Sequence, residues 1–294
     1  MRTDGMKAFW LAFWVTLAAL APLLGCTLLS IQWQQAPAAS SKSDVAVAVP
    51  DDENRLTLLA AVAAQPPAFV LVRLDAPENA LRLAVIPAQS LVKNGAETLT
   101  LAECYAAAGP ARAAALLAET LDFSVDRYLA AAPDTWQSLV EDLGPVRVGL
   151  SGALTTGQLS ATGMAGEARS WTAPAARGYL QQLDTADPAL IPPGAAAAAR
   201  AVLWQGWARQ KLEQLPGTLP AGLRRASGSL LTNLTATDLL ALEQTLEFLA
   251  NAGAEPEAGV LPGTWDAAAG CYAFGEETPV WLADFLRSET AGAA

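Results

Sequence analysis

The chain has 294 residues, 52% of them hydrophobic and only 16% charged, a composition that excludes disorder for most of its length and fits one or two packed globular domains. The formal net charge of −11 disfavours nucleic acid and anionic lipid headgroups as ligands, since binding them depends on accumulated Lys and Arg. With no histidine, Ser-His and Cys-His triads and His-ligated zinc are excluded, and any acid or base must be a carboxylate, a lysine or a tyrosine.

Residues 1–7 form a short tail, and the run from Ala8 to Ile31 contains no charged residue. At about 24 residues this run is long enough to span a hydrocarbon core of about 30 Å as a helix. Arg2 and Lys7 precede it, so the positive-inside rule puts the N-terminus in the cytoplasm and the rest of a single-pass plasma-membrane protein outside. Trp10, Trp14 and Trp33 fall where an interfacial aromatic belt would lie. Leu23-Leu24-Gly25-Cys26 resembles a lipobox, a rival reading in which Cys26 is lipidated after cleavage; Thr27 to Ile31 prolong the apolar stretch, which favours an uncleaved anchor. Residues 32–53 are rich in Ala, Ser, Pro and Asp without helical or strand period and read as an extracytoplasmic linker. Arg2, Lys7 and Asp4 lie before the anchor, which leaves 16 basic against 28 acidic residues beyond Gln32.

Residues 54–294 are expected to form one domain. The apolar runs Leu56 to Val62, Ala68 to Leu74 and Leu83 to Ile86 suit strands covered on both faces, with a turn at Asp75 to Asn79. Asp134 with Gln137 has capping-box spacing, and Gly144 stands where that helix should stop. A long helix is predicted from Ala195 to Leu215, stopped by Pro216, with Leu203, Trp207 and Lys211 on one stripe and Trp204 beside it. Thr235 with Asp238 marks another start, leading to Leu239, Leu242, Leu246 and Leu249 with Gly253 beyond. Strands alternating with helices imply a layered α/β domain.

Several residues admit two readings. Trp204 and Trp207 either fill a core or line a lipid or sugar pocket. Cys104 and Cys271 are either buried free thiols or a bridge permitted by an extracytoplasmic compartment. Asn233-Leu234-Thr235 fits a glycosylation sequon and also a helix start. Asp75, Asp122 and Asp126 sit at turns and strand edges where solvated carboxylates are common, and no grouped carboxylate motif makes them a metal site.

The strand ending Leu83-Ala84-Val85-Ile86-Pro87 runs into Ala88-Gln89-Ser90. That junction resembles the core motif of the LytR-CpsA-Psr (LCP) family of cell-envelope proteins, in which Ile-Pro is followed by Arg-Asp-Thr. Further segments are similar in the same order: Ala106 to Pro110, Val125 to Leu129, Leu139 to Val146, Ala175 to Leu180, and Thr232 to Leu240 with Leu261-Pro262-Gly263 after it. The ordered matches run from roughly residue 54 to 285.

The resemblance implies a mixed central sheet between helical layers, preceded by one transmembrane helix, and an apolar cavity for a polyprenyl chain. It also implies cations and magnesium around a pyrophosphate. At those positions this chain has Ala88 for the arginine, Gln89 for the aspartate, Thr100 for a lysine, and Gln181 and Leu183 for an Arg-x-Arg pair. The loop Ala63-Ala64-Gln65-Pro66-Pro67 is short and uncharged. A later Arg-Gln pair is matched by Arg209-Gln210, or less directly by Arg200. Candidate phosphate-binding residues are therefore Arg200, Arg209 and Lys93; no catalytic residue and no metal ligand is assigned, and magnesium is expected only if the protein is active. Arg200 and Arg209 are nine residues apart on one predicted helix, about 900° of rotation, and so face opposite ways. The implied function is a catalytically degenerate, polyprenyl-lipid-binding or partner protein in cell-envelope glycopolymer assembly. The alternative is an active phosphotransferase moving glycopolymers from polyprenyl pyrophosphate to peptidoglycan. Implied partners are a polyprenyl-linked glycan, the membrane through the N-terminal helix and other envelope proteins, with no nucleic acid.

Overall fold

The structure, a computed structural model, describes residues 49–287. The predicted anchor, Cys26 and residues 32–48 of the linker lie outside the described residues. Among those described, no helix is long and apolar enough to cross a membrane.

The domain opens with three antiparallel strands, β1 (Arg55–Val62), β2 (Ala68–Asp75) and β3 (Ala80–Ile86), in a register that sets Leu59 opposite Leu71 and Leu71 opposite Ala84. A hairpin of β4 (Leu91–Asn94) and β5 (Glu97–Thr100) follows and leads into helix α1 (Leu101–Leu121). Thr100 and Glu103 form a capping box at its start, and at Gly109, φ +75°, the helix breaks and restarts on Pro110. Then come β6 (Arg127–Ala131), α2 (Pro133–Glu141), β7 (Val146–Val148), α3 (Thr156–Ala161), β8 (Arg169–Trp171), α4 (Ala173–Asp184) and α5 (Pro193–Gln210). The chain ends with α6 (Leu215–Ala226), β9 (Leu230–Thr232), α7 (Ala236–Asn251), β10 (Glu257–Val260), the hairpin β11 (Thr264–Asp266) and β12 (Cys271–Ala273), and α8 (Glu277–Leu286).

The main sheet has the order β10-β3-β2-β1-β6-β9, parallel at β10/β3 and β1/β6 and antiparallel elsewhere. Alternation along each strand sends side chains to opposite faces. Leu58, Val70, Leu83, Val85 and Leu129 join one core with Leu139, Tyr179, Leu203, Leu223 and Leu246 of α2, α4, α5, α6 and α7. Leu59, Phe69, Leu71, Ile86 and Ala130 join a second core with Leu116, Leu117 and Phe285 of α1 and α8. The unbroken apolar runs thus belong to strands buried on both faces, and the expected mixed sheet between helical layers is present.

Local expectations are met unevenly. Thr235 and Asp238 do form a capping box, Gly144 and Gly253 take positive φ beyond their helices, and Asn233 accepts a hydrogen bond from the Tyr128 amide at 2.8 Å. Pro216 does not stop a long helix: α5 ends at Gln210, and after a short 3-10 turn at Leu212–Gln214 Pro216 sits in the first turn of α6, where its missing N–H leaves no bond unmade. Asp134 is not a cap either; the N-cap is Ala132, and Asp134 and Gln137 both hold Arg177. Asp75 is fully buried rather than solvated. Cys104 and Cys271 are free thiols, Cys104 buried and Cys271 partly so.

Candidate functional site

A cavity of about 440 Å³ lies between the end of β1, the loop into β2, and helices α2, α4 and α5. Each helix turns one stripe toward it at helical spacing. From α2 come Pro133, Trp136, Gln137 and Val140; from α4, Ala173, Ala176, Arg177, Leu180, Gln181 and Asp184; from α5, Arg200, Leu203, Trp204 and Trp207. The volume exists because small residues, Ala64, Ala68, Ala173 and Ala176, stand where a larger side chain would fill it. Its aromatic wall is fixed in place. The Trp136 indole N–H donates to the Ala61 carbonyl at 2.9 Å, Trp204 packs edge-on against Trp136 with ring centroids 5.8 Å apart, and the Trp207 indole donates to the Gly144 carbonyl at 3.0 Å.

A much smaller cleft, about 40 Å³, adjoins this cavity and shares Pro66, Asp184 and Arg200 with it. Its remaining wall includes Pro87, Ala88, Gln89 and Leu183. Arg200 Nη2 donates to Asp184 Oδ2 at 2.6 Å, with side-chain exposures of 9% and 17%. Burial pushes the Asp184 carboxyl above the usual carboxylate range, and Arg200 opposes that shift. Arg177, nearer solvent, is paired with Asp134 and donates to Gln137 Oε1 at 2.9 Å.

Among solved structures the chain is similar to the LytR-Csp2A-Psr enzyme from Actinomyces oris, with a TM-score of 0.56 and 14% identity over 80% of this chain and 90% of that one. It is similar also to TagT bound to LIIa-WTA, at 0.56 and 17% over 81% and 92%, and to TagU of B. subtilis, at 0.53 and 16% over 80% and 98%. The domain has the LCP fold. At these identities the likeness is one of fold, and no family model and no curated protein sequence matches the chain.

Within the LCP fold, the positions at which the resemblance implies charge converge. Ala88, Gln89 and Leu183 line the cleft, Gln181 lines the cavity, and the loop residues Ala64, Gln65 and Pro66 close its edge. Thr100 stands apart as the α1 cap. Ser90 is fully buried and does not line the cleft, its amide donating to the Pro87 carbonyl at 3.0 Å and its carbonyl accepting from the Leu101 amide at 2.8 Å.

Of the three candidate cations, the structure brings only Arg200 to the site. Arg209, on the same helix, is 64% exposed and lies 3.9 Å from Glu255. Lys93 is exposed on β4, whose Val92 joins the core beneath α1, on the opposite face of the sheet from the cavity. Arg177, Asp184 and Trp136 were not singled out from the sequence. The available signal was the spacing of Arg177, Gln181 and Asp184, which puts all three on one face of α4.

The donor set does not fit the magnesium that the resemblance implies. Among the described residues no three Asp, Glu, Cys or His side chains group together. The one carboxylate among the described residues that lines the cavity and cleft, Asp184, is occupied by Arg200. Asp75 is held by two arginines, Asp122 is the left-handed C-cap of α1, and Asp126 accepts from the Thr57 amide at 2.7 Å.

Proposed function

We propose that the chain is a membrane-anchored, extracytoplasmic LCP-fold protein of cell-envelope glycopolymer assembly that holds a polyprenyl lipid without transferring its glycopolymer. The observation that carries this reading is the contrast within one site. An apolar cavity bounded by Trp136, Trp204 and Trp207, with Gln181 on its wall, meets a cleft lined by Ala88, Gln89 and Leu183, and none of these last four residues supplies charge. Apolar burial retains a chain in proportion to the area it covers. Phosphoryl transfer instead depends on cations and metal placed against the developing charge. Each charge-assisted contact contributes roughly 1.5–3 kcal/mol, so losing several lowers turnover by more than about 100-fold.

The test uses the full chain in detergent. Native mass spectrometry should detect a bound long-chain isoprenoid, and Ala176→Phe, which projects into the existing void, should abolish it. Magnesium-dependent release of polyprenyl phosphate from a polyprenyl-pyrophosphate glycan should be absent. Turnover matching that of an arginine-complete LCP enzyme would instead establish the second reading, an active phosphotransferase, which draws on Arg177 and Arg200 lining the cavity.

A further inference from the structure

We infer that the cavity selects long-chain lipids with an uncharged hydroxyl head over the same chain bearing phosphate, and that the Asp184–Arg200 pair sets this preference. The inference rests on the lipid-binding reading above and narrows it to one class of head group.

Among the described residues, three charged side chains line the cavity and cleft: Arg177, Asp184 and Arg200. Of these three, Asp184 and Arg200 belong to both spaces, so a head group seated where the two spaces meet lies beside this pair. A phosphate there has two options, and both are unfavourable. It can accept from Arg200 while lying against the Asp184 carboxylate, or it can displace that carboxylate, which would then lose a 2.6 Å charge-assisted bond in a position only 17% exposed. Arg177 gives little relief, since its Nη1 already serves Asp134 and Gln137 and its side chain, 38% exposed, is screened by water. An alcohol meets neither obstacle. Gln89 and Gln181 each present an amide that both donates and accepts, which suits a hydroxyl and offers an anion no charge.

The experiment compares geranylgeraniol, geranylgeranyl monophosphate and geranylgeranyl pyrophosphate on the full chain in detergent, by native mass spectrometry and calorimetry at neutral pH, with inorganic pyrophosphate as the chain-free control. Wild type should bind the alcohol at least 10-fold more tightly than either phosphate ester and should not bind inorganic pyrophosphate. Asp184→Asn keeps the side-chain shape, frees Arg200 and should narrow or reverse the preference by at least 10-fold. Gln181→Arg, at an exposed position of α4, adds an unpaired cation and should do the same without depending on Asp184. Equal or tighter binding of the phosphates by wild type overturns the selectivity and leaves the lipid-binding reading intact. A preference unmoved by both variants overturns the role of the pair. Binding of none of the three chains overturns the lipid-binding reading and the selectivity together.

Discussion

Asp75, fully buried, and Asp184, with 17% of its side chain exposed, are each paired with arginine, and their surroundings differ in a way that separates scaffold from site. Asp75, at the end of β2, accepts from Arg55 Nε at 3.0 Å, from Arg73 Nη2 at 2.7 Å and from the Glu78 amide at 3.3 Å, while Arg73 also donates to Thr57 Oγ1 at 3.1 Å. The hydrogen bond to Asp75 is the main reason the Arg55 guanidinium is held above its usual pKa. Asp184 has one arginine, and the pair borders two open spaces rather than packed atoms. The same chemistry beside full packing fixes strand ends; beside a void it controls what can enter.

The largest expected effect tests the scaffold half of that contrast. Asp75→Ala takes their shared carboxylate from the largely enclosed Arg55 and Arg73, Arg55 keeping Asp52 and Glu78, and should cost about 3 kcal/mol in denaturant unfolding of the full chain. Asp184→Ala should cost less than about 2 kcal/mol, because Arg200 can recruit water from the adjoining cavity. Equal losses at the two positions would break the comparison. A double variant sharpens it: Asp184→Asn with Arg200→Leu removes both charges of the site pair and should unfold within about 1 kcal/mol of wild type, since replacing a buried pair by apolar atoms is often neutral.

An intermediate effect is expected at Asp238, a third paired carboxylate that is more exposed. The hydrogen bond from Arg127, with help from the Thr235 cap, lowers its pKa to about 2. A lowered folded-state pKa gives stability that is present above the ordinary carboxylate range and lost as pH falls toward about 2. Asp238→Ala should cost about 1–2 kcal/mol at neutral pH after allowance for solvent screening, and should flatten the acid limb of stability against pH.

Sequence pattern reaches some of this and not the rest, for reasons of range. The three central strands, the start of α7 and the layered class are local or periodic properties, and the ordered resemblance adds the sheet arrangement. The register pairing Arg55 with Asp75 follows from the hairpin, yet the position of Asp75 at a turn pointed to solvent; enclosure comes from Arg73 and Arg55 folding over it. The spacing of Asp134 and Gln137 suits a cap, but α4 packs against α2 and Arg177 claims both side chains. The cavity stripes on α2, α4 and α5 are visible once their helices are known. The Asp184–Arg200 contact is not, because it depends on how two helices sixteen residues apart at that point pack together.

The smallest effect has the opposite sign to that at Asp238. Burial raises the Asp184 pKa in the folded chain although Arg200 works against it. A raised folded-state pKa means the folded form keeps its proton to higher pH than the unfolded form. Its contribution to stability is therefore full below the ordinary carboxylate pKa and declines as pH rises through the raised value. Asp184→Asn, neutral at every pH, should remove this declining component and leave a flatter profile above the ordinary carboxylate range, with the Asp238 acid limb untouched. The two positions share no hydrogen-bond partner, so the Asp184→Asn and Asp238→Ala effects should add across the titration. An Asp184→Asn profile parallel to wild type throughout would mean that water reaching the carboxylate from the cavity cancels the burial penalty, and Asp184–Arg200 would then be a water-screened pair rather than a partly desolvated one.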